Sequence, residues 1–322
     1  MTFHLPPYSY PTTVATVDDD PHFLESLAFS LGRGVRCEAF EHPATALEAL
    51  RDRDGSRRAG RLIAPLDATD LADLPGDWTD RGVRLRCSQI VQVARNPARQ
   101  LDVCAVIADY DMPGMDGVSF FRALHPSKAK RILLTGKADE RIAVAAFNDG
   151  LIDLFLQKHD PDIRLRLHDV ITNAPADYFQ RVTEPLIPFF TSESFLCDPC
   201  FADYARGLFR QHRVIEHYLL HRPSGLLCFD RDGDGWLLLV QSLEEVEGLF
   251  EAGSWPDRPD EPLSHGIQPF ELFESRLGEF VQREILPCER LTSGWNCSFI
   301  PAPALLLEGL KRVPAGRFHR HH

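Results

Sequence analysis

Asp109 lies at the predicted end of a strand, the position at which open α/β sheets bind their ligands. Asp109 follows an apolar run, residues 103–108, that reads as a strand buried on both faces. The loop after it, residues 112–117, is rich in proline and glycine, and an amphipathic helix starts at Val118. Because parallel sheets bind ligands at the carboxyl ends of their strands, a carboxylate here is placed for chemistry. The alternative is a helix-capping acid or a turn former.

The segment from Asp109 to Gly117 resembles the phosphoacceptor loop of two-component response regulators, in which an Asp precedes x-x-Met-Pro-x-Met-Asp-Gly. The other residues of this receiver pattern occur in the same order along the chain. They are the acidic pair Asp18 and Asp19 after the first predicted strand, Thr135 after the fourth, Lys158 after the fifth, and Phe155 three residues before that lysine. The resemblance covers residues 12–172.

The resemblance implies that Asp109 is phosphorylated with Mg²⁺ as the cofactor. The implied ligands of the ion are the carboxylates of Asp19 and Asp109, the carboxylate of Asp18 through water, and the backbone carbonyl of Asp111. A carboxylate is repelled by an anionic phosphoryl group, and a hard cation with oxygen ligands neutralises that repulsion. The ammonium of Lys158 and the hydroxyl of Thr135 are implied to contact the phosphoryl oxygens and stabilise their charge.

Two further pairs of residues have implied roles in the response to phosphorylation. Thr135 is expected to move toward the phosphoryl group while the switch residue Phe155 turns inward. Asp111 and Lys137 lie two residues after the phosphoacceptor and two after Thr135, at positions that vary across the family. An ion pair between them would cover the acyl phosphate and lengthen its lifetime. The alternative is two solvated side chains that never meet.

The predicted fold of residues 1–172 is α/β, a flavodoxin-like doubly wound receiver with strand order 2-1-3-4-5. A long insertion, at about residues 53–100, separates the second helix from the third strand. It contains nine Arg and six Asp but no Lys or Glu. We expect the insertion to lie away from Asp109 and to pack against the acidic second half of the chain or a second subunit.

Residues 173–322 are predicted to form an α+β output domain. The expected elements are a helix at 201–221, strands at 226–229 and 236–240, a capping box that opens a helix at Ser242, a helix at 269–281, and extended pieces at 288–291 and 296–300. This half contains 22 acidic residues against 14 Lys plus Arg, and the whole chain has a net charge of −12. No helix-turn-helix pattern is evident, so direct DNA binding is not expected.

Several motifs in the second half have two interpretations. Residues 230–235 have the Asp spacing of a calcium loop, but Gln241 replaces the bidentate Glu, which favours a hairpin turn. Cys197 and Cys200 have zinc or redox spacing, but two ordinary thiols are the simpler interpretation. Three histidines are expected on one helix at its solvent edge: His212, His217 and His221. Residues 319–322 are expected to be frayed.

The composition of the chain also indicates the cellular compartment in which we expect the protein. No apolar run approaches the roughly 18 residues that a membrane helix needs. The N-terminal residues lack the basic start and apolar core of a signal peptide and read as a proline-stiffened tail. Eight cysteines, several within apolar runs, suit a reducing cytoplasm. We therefore expect a cytoplasmic protein with no membrane association.

The segment 131–158, the insertion and the output domain together resemble the atypical response regulators associated with α-hydroxyketone quorum sensing. This resemblance implies phosphorylation by a sensor histidine kinase or phosphotransfer protein, a homodimer, and an output that contacts a downstream protein or small ligand. The alternative is a receiver-gated enzyme with a nucleotide-processing C-terminal domain. The sequence shows no convergent catalytic constellation there, so we expect no enzyme beyond the receiver's own phosphoryl transfer.

Overall fold

The computed structural model describes residues 2–31, 35–51, 53, 55–65, 83–136, 140–221, 223–242, 244–246, 267–274, 281–307, 310 and 318–321. The strands in these residues are β1 (Tyr8–Ser9), β2 (Thr13–Val17), β3 (Arg36–Phe40), β4 (Ile63–Pro65), β5 (Val83–Leu85), β6 (Val103–Asp109), β7 (Lys130–Thr135), β8 (Leu154–Gln157), β9 (Val214–Leu220), β10 (Gly225–Asp230), β11 (Gly235–Gln241), β12 (Ile267–Glu274), β13 (Val281–Pro287), β14 (Glu289–Arg290), β15 (Asn296–Pro301) and β16 (Phe318–His321). The α-helices are α1 (Pro21–Leu31), α2 (Pro43–Leu50), α3 (Ser56–Leu62), α4 (Gln92–Arg95), α5 (Gly117–Leu124), α6 (Glu140–Asn148), α7 (Ile163–Thr183), α8 (Pro199–Gln211) and α9 (Ala304–Leu307). Short 3₁₀ helices lie at Cys87–Gln89, Pro97–Leu101, Glu184–Phe189 and Phe195–Cys197. Across the described ranges, none of the helices has the length and apolarity needed to cross a membrane.

The chain forms two compact units, each built from three segments. The parallel-sheet unit comprises Tyr10–Arg57, Pro97–Val182 and Val313–His322, and the antiparallel-sheet unit comprises Met1–Ser9, Arg58–Asn96 and Thr183–Arg312. Most of the predicted insertion therefore belongs to the antiparallel-sheet unit. The division near Val182 coincides with the end of α7, whereas the boundary expected after residue 172 falls inside that helix.

The parallel sheet confirms the predicted receiver topology. Its order is β16-β3-β2-β6-β7-β8, so the five predicted strands lie in the order 2-1-3-4-5. The strands are parallel throughout. The core between the sheet and its helices includes Phe40, Phe121 and Leu133, all completely buried. Burial of both sheet faces explains why the strands are almost wholly apolar in sequence.

A sixth strand, β16, extends the parallel sheet beyond β3, so the expectation that residues 319–322 are frayed is wrong for 319–321. Phe318 pairs with Cys37 and His321 with Phe40, and these last two rings stack at 4.7 Å with an interplanar angle of 6°. Without this neighbour, the outer backbone groups of β3 would form an open edge. The four residues are too short and polar to show a strand pattern in sequence.

The antiparallel sheet has the order β1-β9-β10-β11-β15-β14. The proline-stiffened tail predicted at the N-terminus is instead part of this sheet, since Tyr8 pairs with Tyr218 and Ser9 with His217. Phe3 and Tyr8 are only 2% and 0% exposed. The burial of these aromatic rings explains why the segment packs rather than projects.

The predicted helix at 201–221 is wrong in its second half. Helix α8 ends at Gln211, and β9 begins at Val214. Between them Arg213 has a φ of 56°, a left-handed conformation that reverses the chain after a helix. β-branched residues then favour a strand. The three histidines expected on one helix are thus separated, and His217 is buried at 5% exposure in β9.

The helix predicted at 269–281 is also wrong, because residues 267–274 form β12 and pair with β13. The apolar spacing there fits either a helix or a strand, and the long-range partner decides between them. The two strands predicted at 226–229 and 236–240 are confirmed as β10 and β11. The capping box is present as well, since Ser242 and Glu245 exchange hydrogen bonds of 2.6 and 3.1 Å.

Candidate functional site

Asp109 is the last residue of β6, a strand that lies between β2 and β7. The residue is only 6% exposed. Gly117 allows the following loop to return against this strand end, because a Cβ there would lie 2.3 Å from the carbonyl oxygen of Asp109. The Gly117 N–H donates to the carbonyl of Tyr110 at 2.9 Å, which closes the loop. The glycine therefore permits the close packing that holds Asp109 in place.

The acid that caps helix α5 is Asp116, not Asp109. Its carboxylate accepts a hydrogen bond from the Ser119 N–H at 2.7 Å and one from the Ser119 hydroxyl at 3.0 Å. The alternative interpretation of Asp109 as a helix cap is thereby removed. Its carboxylate lies at the end of the sheet and is not used to cap this helix.

The structure brings three predicted acidic residues together. Asp18 and Asp19 follow β2, next to Asp109, and one carboxylate oxygen from each of the three lies within 4.8 Å of the others. Asp18 is buried and accepts a hydrogen bond from the Asp20 N–H at 3.0 Å, whereas Asp19 is exposed. The buried carboxylate of Asp18 and the exposed carboxylate of Asp19 thus both lie close to that of Asp109.

Lys158 joins this cluster from the end of β8. Its ammonium nitrogen lies 2.8 Å from Asp18 Oδ2 and 2.9 Å from Asp109 Oδ2. Its backbone N–H donates to the carbonyl of Thr135 at 2.9 Å, which fixes the strand end. The ammonium also lies 4.8 Å from the centre of the Phe23 ring, a cation–π distance. The lysine is therefore held between two carboxylates and an aromatic face.

The charges in this cluster depend on each other. Burial raises the pKa of both Asp18 and Asp109, and the neighbouring Lys158 opposes that rise. Burial alone would lower the pKa of Lys158, but its hydrogen bonds to the two carboxylates outweigh burial and raise it. Lys158 is therefore cationic at neutral pH and compensates the buried negative charge.

The predicted switch residues lie on neighbouring strands. Thr135 is the last residue of β7 and is completely buried, and its hydroxyl oxygen has no hydrogen-bond partner among the described residues. Phe155 is half-buried in β8, and its ring centre lies 6.5 Å from that of Phe147 in α6. A hydroxyl without a bond in this arrangement is free to take one from a new group at Asp109.

Only one member of the predicted pair of Asp111 and Lys137 lies among the described residues. Asp111 is exposed beside the loop, and Lys137 lies outside the described residues. The predicted ion pair between them, and the carbonyl of Asp111 as a metal ligand, stay predictions. The three clustered carboxylates do fit Mg²⁺, which prefers oxygen ligands and carboxylates in particular.

The structure describes both sequence motifs of the second half that had two interpretations. Asp230 forms the turn between β10 and β11, where its carboxylate accepts hydrogen bonds from the N–H groups of Asp232 and Asp234, both at 2.9 Å, and from the Trp236 indole at 3.0 Å. Burial would raise the pKa of Asp230, but these donors outweigh it and lower the pKa. The hairpin interpretation is confirmed. Cys197 ends the 3₁₀ helix Phe195–Cys197, Cys200 lies in the first turn of α8, and no disulfide joins them, so the choice between a zinc or redox pair and two ordinary thiols stays a prediction.

Sequence reasoning missed the role of Phe23 beneath Lys158. Its only signal is an aromatic residue in the first turn of the helix that follows the acidic pair, where most such side chains simply pack on the sheet. It also missed Glu38, a buried carboxylate in β3 that forms ion pairs with Arg53 and with Arg36 at 4.0 Å. His321 lies 3.4 Å from the same carboxylate. A lone Glu in a short strand gives no sequence signal.

Comparison with known proteins adds to this geometry. No protein-family model matches the sequence. The C4-dicarboxylate transport transcriptional regulatory protein DctD of Pseudomonas aeruginosa is 35% identical over 114 residues, which cover 31% of this chain and 24% of that protein. The chain thus matches about a quarter of that relative's length. The structure of the Legionella pneumophila response regulator LqsR is similar at a TM-score of 0.71 and 24% identity, covering 94% of this chain and 91% of that one. The parallel-sheet unit therefore has the flavodoxin-like fold of response-regulator receiver domains.

Proposed function

We propose that the protein is a response regulator that is phosphorylated on Asp109 by a sensor histidine kinase or phosphotransfer protein. The observation that supports this most directly is the cluster itself. Asp109 lies within 4.8 Å of two further carboxylates, and its Oδ2 lies 2.9 Å from the Lys158 ammonium. Carboxylates gathered around a buried nucleophile suit phosphoryl transfer better than any purely structural role.

In this proposal a carboxylate oxygen of Asp109 forms the new bond to phosphorus. The bond from phosphorus to the donor breaks, and its electron pair leaves with the donor. Asp18, Asp19, Asp109 and the carbonyl of Asp111 would hold Mg²⁺, which supplies charge neutralisation between the carboxylate and the phosphoryl group. Lys158 stabilises the charge on the phosphoryl oxygens, and the Thr135 hydroxyl donates a hydrogen bond to them.

Phosphorylation is proposed to change the surface beside α6. Movement of Thr135 toward the phosphoryl group would leave space that the Phe155 ring fills. Next to this ring, α6 exposes three apolar side chains: Ile142, Val144 and Phe147, at 44%, 42% and 48% exposure. An apolar face on a switch element suits a second copy of the chain, so we propose a homodimer. Sedimentation of the chain with and without phosphodonor would test this.

The output is proposed to be a contact with a downstream protein or small ligand rather than with DNA. A net charge of −12 opposes binding to a polyanion. We further propose that the signal belongs to α-hydroxyketone quorum sensing and that the protein acts in the cytoplasm. Co-purification of kinase and partner proteins with wild-type and Asp109→Asn chains would test the pathway.

The second candidate is a receiver-gated enzyme with a nucleotide-processing output. In the described part of the chain, the only cluster of at least three His, Cys, Asp or Glu side chains within metal-binding distance is Asp18, Asp19 and Asp109. This observation favours the relay over an enzyme with an acidic or metal-binding centre in the antiparallel-sheet unit. Turnover of nucleotides by the full-length protein would reverse that preference.

The test of the main proposal is labelling of the full-length protein by acetyl phosphate with Mg²⁺, followed by intact-mass spectrometry. Wild type is expected to gain one phosphoryl group and Asp109→Asn none. Asp116→Asn is the matched control, because it changes the same loop but Asn still caps a helix. Undiminished labelling of Asp109→Asn would contradict the assignment.

A further inference from the structure

The start of α1 holds the aromatic ring of Phe23 beside the candidate site. Two hydrogen bonds fix the backbone just before it, since the Asp20 N–H donates to Asp18 Oδ1 at 3.0 Å and the His22 N–H donates to Asp20 Oδ1 at 2.9 Å. The next residue, Leu24, is completely buried, and its N–H donates to the Asp20 carbonyl at 3.1 Å. Phe23 itself is half-buried. Its backbone is therefore anchored on both sides.

The ring faces the ammonium group of Lys158. The ammonium nitrogen lies 4.8 Å from the ring centre, 2.8 Å from Asp18 Oδ2 and 2.9 Å from Asp109 Oδ2. An ammonium has three N–H donors, and the face of an aromatic ring is the negative part of its quadrupole. Two carboxylates and one ring face therefore provide partners for the ammonium, and they restrict a long side chain that is otherwise flexible.

The contact with the ring differs from the other two because phosphoryl transfer does not change it. In the proposed reaction Asp109 gains a bond to phosphorus, so the Lys158 ammonium exchanges this carboxylate for phosphoryl oxygens. Phe23 forms no bond and moves no proton in that step. Its attraction for the ammonium is present before and after the transfer and keeps the end of the lysine directed at the site. Orientation of a charged group before reaction lowers the barrier.

We propose that Phe23 is a positioning residue for the phosphorylation of Asp109 and that it acts through the ammonium of Lys158. This rests on the proposed function, because it takes Asp109 as the phosphoacceptor. The alternative is an aromatic ring that only packs on the sheet. A packing role needs an apolar side chain of the right size, whereas the positioning role needs the π face of the ring.

The kinetic test measures the initial rate at which acetyl phosphate with Mg²⁺ labels the full-length protein, followed by intact-mass spectrometry. Phe23→Leu keeps an apolar side chain but removes the π face, and it should slow labelling about fivefold. Phe23→Tyr keeps the face and should stay within about twofold of wild type. Phe29→Leu is the matched control, because it makes the same change in the same helix at a side chain that is 89% exposed. Its rate should equal that of wild type.

A double variant shows whether the ring acts through the lysine. In a Lys158→Met background, Phe23→Leu should slow labelling no further, because the ammonium that the ring holds is already absent. Additive slowing would overturn the proposal, since the ring would then act independently of Lys158.

A spectroscopic measurement tests the contact without phosphorylation. The chain has five lysines, so selective isotope labelling gives few side-chain signals in nuclear magnetic resonance, and Lys158→Met identifies that of Lys158. A ring face shifts nearby protons upfield. Phe23→Leu should remove this shift from the ε-methylene protons of Lys158, and Phe23→Tyr should keep it. An unchanged signal in Phe23→Leu would overturn the proposal.

The positioning role and the proposed function fail in different ways. A wild-type rate in Phe23→Leu, or equal slowing in Phe23→Leu and Phe23→Tyr, overturns the positioning role while phosphorylation stands. No labelling of the wild type contradicts the proposed function, and the positioning role with it. If Phe23→Leu does not fold, a ring-fluorinated phenylalanine at position 23 replaces it, because fluorines keep the ring shape but weaken its negative face. An unchanged rate in that protein also overturns the positioning role.

Discussion

The two units of this protein differ in how their parts are distributed along the sequence. In the parallel-sheet unit, the site residues follow successive strands, and short motifs mark Asp18, Asp109 and Lys158. The antiparallel-sheet unit combines an N-terminal strand, the insertion and residues 183–312. In a βαβ fold the site residues follow strands that can be recognised in the sequence. In a unit assembled from distant segments, the residues that meet in space share no local sequence pattern. If the two units are separable, damage to one should leave the other intact.

Tryptophan fluorescence distinguishes the two units. All four tryptophans, at positions 78, 236, 255 and 295, fall within the segments of the antiparallel-sheet unit. Tryptophan fluorescence therefore reports the unfolding of that unit alone. Labelling by acetyl phosphate is the proposed readout of the other.

The largest expected effect is that of deleting residues 58–96 and joining the ends with a flexible linker. The deletion removes Ile90, Val93 and Ala94, all buried. Loss of this packing should destabilise the antiparallel-sheet unit by about 5 kcal/mol or more, seen as loss of its cooperative fluorescence transition. The segment contains none of the site residues, so labelling at Asp109 should persist. A deletion protein with intact fluorescence but no labelling would break the comparison.

The next effect concerns Lys158→Met, which removes the charge beside Asp18 and Asp109. The rate of labelling by acetyl phosphate should fall about a hundredfold, the usual cost of losing one charge-stabilising donor. Lys130→Met is the control. Lys130 starts β7 at the other end of the sheet, where it forms a 2.8 Å ion pair with Asp177. Similar slowing in both variants would show that general destabilisation is responsible.

A smaller effect is expected from Gly117→Ala. The new methyl group would lie 2.3 Å from the Asp109 carbonyl and 2.6 Å from Leu133 Cδ1, so the loop must shift. We expect a destabilisation of about 3 kcal/mol in denaturant unfolding followed by circular dichroism, together with slower labelling. Gly60→Ala is the matched control in the other unit, because a Cβ there meets nothing within 4 Å. It should be neutral or slightly stabilising.

The smallest effect is an opposite dependence of the two units on pH. Burial lowers the pKa of His217 to about 4. Between its unfolded pKa of about 6.5 and pH 4, the unfolded chain binds a proton that the folded chain does not, so stability falls on acidification. The resulting loss in the free energy of unfolding is about 2 kcal/mol at pH 5, relative to neutral pH. The raised pKa values of Asp18 and Asp109 act in the other direction, since their contribution to stability is present at low pH and is lost as pH rises through them.

Urea unfolding followed by fluorescence at pH 7 and pH 5 would measure the His217 contribution. His217→Gln removes the titrating group and keeps a donor for the carbonyl of Pro6, which the ring contacts at 2.9 Å. The free energy of unfolding of wild type, measured relative to that of His217→Gln, should therefore fall by about 2 kcal/mol between pH 7 and pH 5. A constant difference at both pH values would contradict it.

Prediction from sequence was most successful where a pattern was local. The order of β2, β3, β6, β7 and β8 followed from the resemblance to receiver domains, which the apolar runs and crossover rules support. The positions of Asp18, Asp109, Thr135 and Lys158 followed from motifs at strand ends. These features depend on residues that are near each other in the chain or on topology that few rules restrict.

Failures occurred where a distant partner determined the structure. Residues 269–274 fit a helix until β13 supplies a neighbouring strand. Tyr8 appeared to be part of a tail because its partner, Tyr218, comes much later. Phe23 was missed because its cation partner lies on another strand.

Each end of the chain forms a strand whose partner lies far away in sequence, and this has a consequence for synthesis on the ribosome. Multidomain chains usually complete their N-terminal domain first. Here β1 must wait for β9 at residues 214–220, and the outer edge of β3 stays open until residues 318–321 emerge. During that interval β3 is an exposed edge to which a strand of a neighbouring nascent chain can add. Until those residues emerge, the outer edge of β3 therefore lacks the strand that covers it in the folded chain.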